Sequence, residues 1–236
     1  MCVFMVINSY DRLNDIEKGA YLMRQISLHK GARDLCTRAS KVPHPTTGEI
    51  KAWKIDFNLP SDLPSNACCD YMNRTIHLDP KLSEKMALAM VVFELTNAVS
   101  CRKFYDLSHR AFKGLIGCEA YAKGHESIEY EGMKIHRKIM SSTLAKMRWG
   151  DEVNCYGEVA DCFETYWLNV RPTSHAEYYR KHWSQMPGSG RECVILNGVT
   201  CSLRDIEATK RSERIISAVQ IGLIALTAYL GWNLLF

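Results

Sequence analysis

The chain has no CxxC pair and no cysteine–histidine cluster at the close spacing of a structural zinc site, so a zinc-stapled module is not expected. It also lacks a concentrated block of charge. Thirty Lys and Arg residues against 26 Asp and Glu leave a net charge of +4, scattered along the sequence instead of gathered into a stripe that would track phosphates, so nucleic acid is not an expected partner. There is no Gly-rich phosphate loop, no GxSxG elbow and no kinase-like set of motifs. The opening run from Met1 to Ile7 is too short for a secretory h-region, has no positive n-region and enters Asp11-Arg12 without a small-residue cleavage site. A cytosolic start is expected. Internal repeats and low-complexity segments are missing as well.

What is there fits a packed protein: 47% hydrophobic and 24% charged residues place most of the chain outside the disordered class. Its 236 residues suit one domain plus an appendage better than two domains. The ten cysteines would suggest a disulfide framework in a small secreted protein, but in a chain of this size without a secretory signal they read as reduced thiols. For the same reason the Asn73-Arg74-Thr75 sequon carries no expectation of glycosylation.

Charge disappears over residues 215–236, IISAVQIGLIALTAYLGWNLLF, and a helix of 22 residues is about 33 Å long, enough to cross a bilayer core. Lys210, Arg211 and Arg214 precede the segment, no basic residue follows it, and Tyr229 and Trp232 stand near its far end. The pattern predicts a tail anchor with the N-terminal domain in the cytosol. Residues 1–205 are then the cytosol-facing globular domain, 206–214 a basic juxtamembrane linker and 215–236 the transmembrane anchor. A buried C-terminal core helix is the competing reading.

Within the globular part, Leu13, Ile16, Ala20, Met23 and Ile26 recur at helical spacing, with Gly31 as a candidate C-cap. Residues 41–49 and 60–66 read as loops. Trp53, Ile55, Phe57 and Leu59 alternate with polar residues as in a half-buried strand, and residues 74–78 read as a second strand closed by Asp79-Pro80. Ser83 is a credible N-cap for the strongly apolar run MALAMVVFELTNAV. Further on, Gly114, Gly117, Gly124 and Gly132 divide residues 101–147 into two or more helices. A stripe of Val159, Cys162, Phe163, Tyr166 and Trp167 predicts another helix, with those aromatics in the core. Residues 175–183 suggest one more helix, 187–190 a turn and 193–196 a last strand. The expected fold class is α+β, predominantly helical, with a short sheet and a central helix.

The order strand, Asp-Pro, cap and apolar helix, together with Phe93-Glu94-Leu95-Thr96-Asn97, resembles the zincin metallopeptidases. In that family an edge strand leads into a helix bearing His-Glu-x-x-His, whose histidines bind zinc from one face while the glutamate is the general base. The resemblance covers residues 70–130 and places Glu94 at the base position, whereas Phe93 and Asn97 stand where both imidazoles belong. Phenylalanine has no lone pair for a metal, and a neutral amide is a poor substitute. The family's third ligand would fall near Glu119, Glu126 or Glu129. The resemblance therefore implies a zincin-like domain without metal or other cofactor that acts by binding another protein. An active hydrolase or peptidase is the alternative: Glu94 would be catalytic with non-standard supporting residues, and zinc enters only there. A bland reading makes Glu94 a core-edge carboxylate paired with a basic residue or a tyrosine; a purely structural membrane protein is also open. His109, His125 and Cys118 are the other side chains weighed for chemistry, each more easily read as structural.

Overall fold

The computed structural model describes residues 9–61, 63, 65–150 and 160–186, and the backbone of 193–196 and 199–202. Helix α1 spans Asp15–Leu28 and opens on a capping box: the Asn14 side chain accepts from the Glu17 amide at 3.0 Å and Glu17 accepts from the Asn14 amide at 2.9 Å. Gly31 does not end it. His29 closes α1 and caps a second helix, α2 (Lys30–Lys41), by accepting from the Ala32 amide, so Gly31 lies in the first turn of α2. This helix buries only Ala32, Leu35 and Ala39, a stripe too narrow to stand out by hydrophobicity.

Three short strands follow: β1 (Lys54–Asp56), β2 (Ala67–Asp70) and β3 (Thr75–Leu78). They form one sheet in the order β1-β3-β2, with β1 parallel and β2 antiparallel to β3. The strand that leads into the central helix is therefore the middle strand, and β2 is an edge. The turn from β2 to β3 contains Arg74 at φ +51°, in the left-handed region. Its buried guanidinium donates to the carbonyl oxygens of Val42, Lys51 and Glu49 and lies over the Trp53 ring, which ties the loop before β1 to the sheet.

Helix α3 (Glu84–Val99) starts at Ser83, whose hydroxyl accepts from the Met86 amide, and every residue from Ala87 to Ala98 is buried. It is surrounded by α1, α2, the sheet and α5. Helices α4 (Cys101–Phe112), α5 (Cys118–Met140) and α6 (Thr143–Trp149) then occupy the stretch expected to hold two or more helices. Gly114, at φ +68°, makes the turn between α4 and α5. Gly124 and Gly132 do not divide anything: both lie inside α5. A Cβ on Gly132 would stand 2.4 Å from Thr96 Oγ1 of α3, and one on Gly124 would stand 2.8 Å from the Leu107 side chain of α4. The glycines are crossing points where neighbouring helices come close, which outweighs their cost in helix propensity of about 1 kcal/mol each.

Helices α7 (Phe163–Val170) and α8 (Ser174–Ser184) pack on the N-terminal half of α5. Two apolar clusters result. One joins α1, α2, the sheet, α3 and the far end of α5; the other joins Ala111, Ile116, Tyr121, Ala122, Trp167, Ala176, Tyr179 and Trp183. A hairpin of β4 (Cys193–Leu196) and β5 (Val199–Ser202) ends the described chain. The class is α+β and mostly helical. Among the described side chains, Cys36, Cys68, Cys69, Cys101 and Cys162 form no disulfide. Among the described residues no helix is long and apolar enough to cross a membrane. The expected anchor over 215–236, the linker and the turn at 187–190 lie outside the described residues.

Candidate functional site

Glu94 sits in the buried middle of α3, 4% exposed, and one of its carboxyl oxygens accepts from the Asn97 amide nitrogen at 3.0 Å. The spacing explains the bond: residues three apart share a helix face. Its hydrogen-bond partner among the described residues is thus a neutral amide, not a basic residue or a tyrosine. Both side chains line a cavity of about 220 Å³. The other walls come from Ala67, Cys68 and Cys69 on the edge strand β2, from α4 and α5, and from α8.

Helix α5 brings His125 and Glu129 to this cavity on one face, and Glu126 just behind it, while α8 contributes His175 and Tyr179. His175 Nδ1 pairs with Glu126 Oε1 at 2.8 Å, and its Nε2 lies 3.4 Å from Glu129 Oε2. Two tyrosines complete the arrangement. Tyr166 donates to the second oxygen of Glu126 at 2.8 Å, and Tyr179 donates to Glu129. A buried carboxylate needs such donors, since leaving its lone pairs unmet in an apolar interior is costly.

The electrostatics follow from burial. Desolvation pushes the Glu94 carboxyl up to about 8; the Asn97 hydrogen bond works against this, the nearby Glu129 adds to it and His175 opposes it. Glu129 is raised for the same first reason, opposed by His175. Burial alone would lower His175, but its bond to Glu126 and the charges of Glu129, Glu126 and Glu94 prevail and lift it to about 9. His125 goes the other way: burial, with His182 and His175 adding, takes it down to about 3. At neutral pH these directions favour a protonated Glu94, a charged His175 and a neutral His125 around a common space.

Of the residues singled out in the sequence, Glu94, Glu126, Glu129 and His125 come together. Glu119 does not: it pairs with Arg180 at 3.0 Å and Arg171 at 3.9 Å on the outer side of α5. His109 is exposed on α4, stacked on Tyr105, and Cys118 meets the Arg180 carbonyl. Phe93 is buried against α5, edge-on to His136 with centroids 6.0 Å apart, and is not among the cavity walls. Tyr166 is only half-buried and serves Glu126 more than the core. The candidate-site residues that carry no mark in the sequence include His175 and Tyr179, spaced i, i+4 on a helix too polar to suggest a site. The chain is matched by no family model, by no curated protein and by no solved structure.

Proposed function

We propose that this protein is a hydrolase acting on peptide-like substrates, with Glu94 as its proton-transfer group, held at a membrane through residues 215–236. The observation that supports it most is geometric: a buried carboxyl fixed by Asn97 at 3.0 Å opens on a cavity whose other walls carry Glu129 and His175. Hydrolysis needs a group that takes a proton from water and returns it to the leaving atom, and such a group works best with its pKa near the working pH. Glu94, raised to about 8, meets that requirement in a way an exposed carboxylate would not. His175, on the cavity wall with Nε2 3.4 Å from Glu129, would supply positive charge toward a carbonyl oxygen that develops charge there.

The substrate class comes from the sheet. Edge strand β2 pairs on one side with β3, and among the described residues no strand covers its other side, while its Ala67, Cys68 and Cys69 line the cavity. An extended peptide can add to such an edge by main-chain hydrogen bonds, which brings its backbone to Glu94. The cavity is below the roughly 300–1,000 Å³ common for drug-sized ligands, so it suits the few atoms around a scissile bond.

The zincin resemblance also supports a second reading, a domain that binds a partner without catalysis. Phe93 and Asn97 stand at the positions where the resemblance calls for imidazoles, and Phe93 packs into the helix interface. One experiment separates the two. Peptide and ester libraries are presented to the wild-type protein and to Glu94→Gln. Turnover by the first and a loss of roughly 100-fold or more in the second supports the hydrolase. No turnover by either, with equal retention of a membrane-side protein partner, favours binding.

A further inference from the structure

Three carboxyls crowd one region: Glu94 is 4% exposed, Glu129 7% and Glu126 fully buried. Among the described residues the only cationic side chain paired with any of them is His175. Glu126, Glu129 and His175 each offer a donor atom, and these atoms all lie within 4.8 Å of one another. Glu126 and Glu129 are one helical turn apart on α5, and His175 stands at the start of α8, so two rigid elements hold the set. Tyr166 and Tyr179 brace the carboxylates from behind, as outer-sphere groups do around metal ligands.

A carboxylate–imidazole network alone would be no more than a buried ion pair. His125 points further. It is 6% exposed, lines the cavity one turn before Glu129, and neither of its ring nitrogens has a hydrogen-bond partner among the described residues. Its ring is clamped between Tyr179 at 4.2 Å and Phe104 at 5.2 Å, so it cannot swing out to water. The buried Oδ1 of Asn97, on the same cavity, is likewise without a partner among the described residues. An imidazole supplies one donor and one acceptor, and an amide oxygen is an acceptor. Together they suit a ligand that carries water or hydroxide into the cavity.

We propose that Glu126, Glu129 and His175 bind a divalent transition-metal ion, zinc above all, whose open side faces the cavity lined by Glu94, Asn97 and His125. Two carboxylates and one imidazole suit zinc better than calcium or magnesium, which prefer all-oxygen shells, and better than thiophilic ions. The ion takes the place of the proton on one His175 nitrogen, and that proton leaves to solvent. This ligand set is not the one implied by the zincin resemblance, because Phe93 lies off the cavity and Asn97 Nδ2 is engaged with Glu94. The inference deepens the hydrolase reading: the ion, through its open side, would take over from the His175 imidazolium the stabilisation of charge on the carbonyl oxygen, yet it is tested without substrate.

The test uses the full chain in detergent, purified without chelator. Zinc is measured by mass spectrometry, and the chelator-treated protein is titrated with cobalt(II), whose visible bands report its ligands. The expected result is one zinc per chain, with cobalt binding weakened by roughly 100-fold or more in Glu129→Gln and His175→Gln and retained in Glu94→Gln. Should either ligand variant lose its far-UV circular dichroism, Tyr179→Phe replaces it, with an expected weakening of roughly tenfold. Failure to retain zinc or bind cobalt, binding unchanged in folded ligand variants or in Tyr179→Phe, or a sulfur-to-cobalt charge-transfer band overturns the site. Zinc without hydrolysis counts against the hydrolase alone, and hydrolysis by metal-free protein counts against the metal alone.

Discussion

Replacing Glu94 by Gln should make the protein more stable at alkaline pH while removing the proposed hydrolase activity. Gln keeps the shape and still accepts the 3.0 Å bond from Asn97, so the change isolates the charge. A carboxyl moved from 4.5 to about 8 is harder to ionise in the folded chain than in the unfolded one by about 5 kcal/mol, at about 1.4 kcal/mol per unit. The sign follows from proton uptake. Between pH 4.5 and 8 the folded protein holds a proton that the unfolded chain has released, so stability is fully present below the lower value and is lost as pH rises through the upper one. Cavity water will soften the penalty, and a gain of about 2–3 kcal/mol for the variant at pH 9 is the expectation, shrinking below about 1 kcal/mol at pH 5. Urea unfolding of both proteins, in chelator at several pH values, measures it. Curves that stay parallel from pH 5 to 9 would mean that Glu94 is ionised and well solvated, and the argument for a poised proton carrier would fall with them.

His175 adds to the same trend: with its pKa at about 9 against 6.5 unfolded, its contribution is complete below pH 6.5 and disappears as pH rises through 9, so His175→Gln should flatten the alkaline limb of the stability profile. His125, held near 3, acts oppositely and weakens the fold below pH 6.5; His125→Phe keeps the stacking on Tyr179 and Phe104, removes two nitrogens that have no hydrogen-bond partner among the described residues and should raise stability at pH 5 by about 1–2 kcal/mol in thermal or urea melts. Gly132→Ala forces a methyl to 2.4 Å from Thr96 Oγ1 and should cost about 1–3 kcal/mol, visible as a lower melting temperature. Truncation before Ile215 should move the protein from the membrane pellet to the supernatant after carbonate extraction; continued pelleting would remove the anchor from the proposal.

The parts of the fold that were legible are those whose signal is local. The run from Ala87 to Ala98 is apolar but for Glu94, Thr96 and Asn97 and is buried throughout, and the Ser83 cap marks its start. Trp53, Ile55 and Phe57 alternate with the exposed Lys54 and Asp56 because β1 and the residues on either side of it turn one face to the core. Helix α2 gives little signal because its buried stripe is one leucine, Leu35, between two alanines, Ala32 and Ala39, among charged residues. Gly124 and Gly132 misled for a related reason: a glycine that breaks a helix and one that lets two helices touch look alike until Leu107 and Thr96 are known to be the neighbours.

The candidate site shows the same divide. Glu94 was visible because its helix resembled a known pattern, and Glu126 and Glu129 because they lay at a plausible distance downstream. Their meaning was hidden, since it depends on His175, 49 residues beyond Glu126, delivered by a helix whose sequence SHAEYYRKHWS has little periodicity. Long-range polar contacts leave almost no trace in one sequence, because a polar side chain on a helix usually faces water. The structure changes which residues the chemistry should be sought in. A search confined to Phe93 and Asn97 meets no good metal ligand, whereas the buried carboxyls of α5, the imidazole of α8 and His125, whose ring nitrogens have no hydrogen-bond partner among the described residues, stand around Glu94 in the arrangement on which the hydrolase and metal proposals rest.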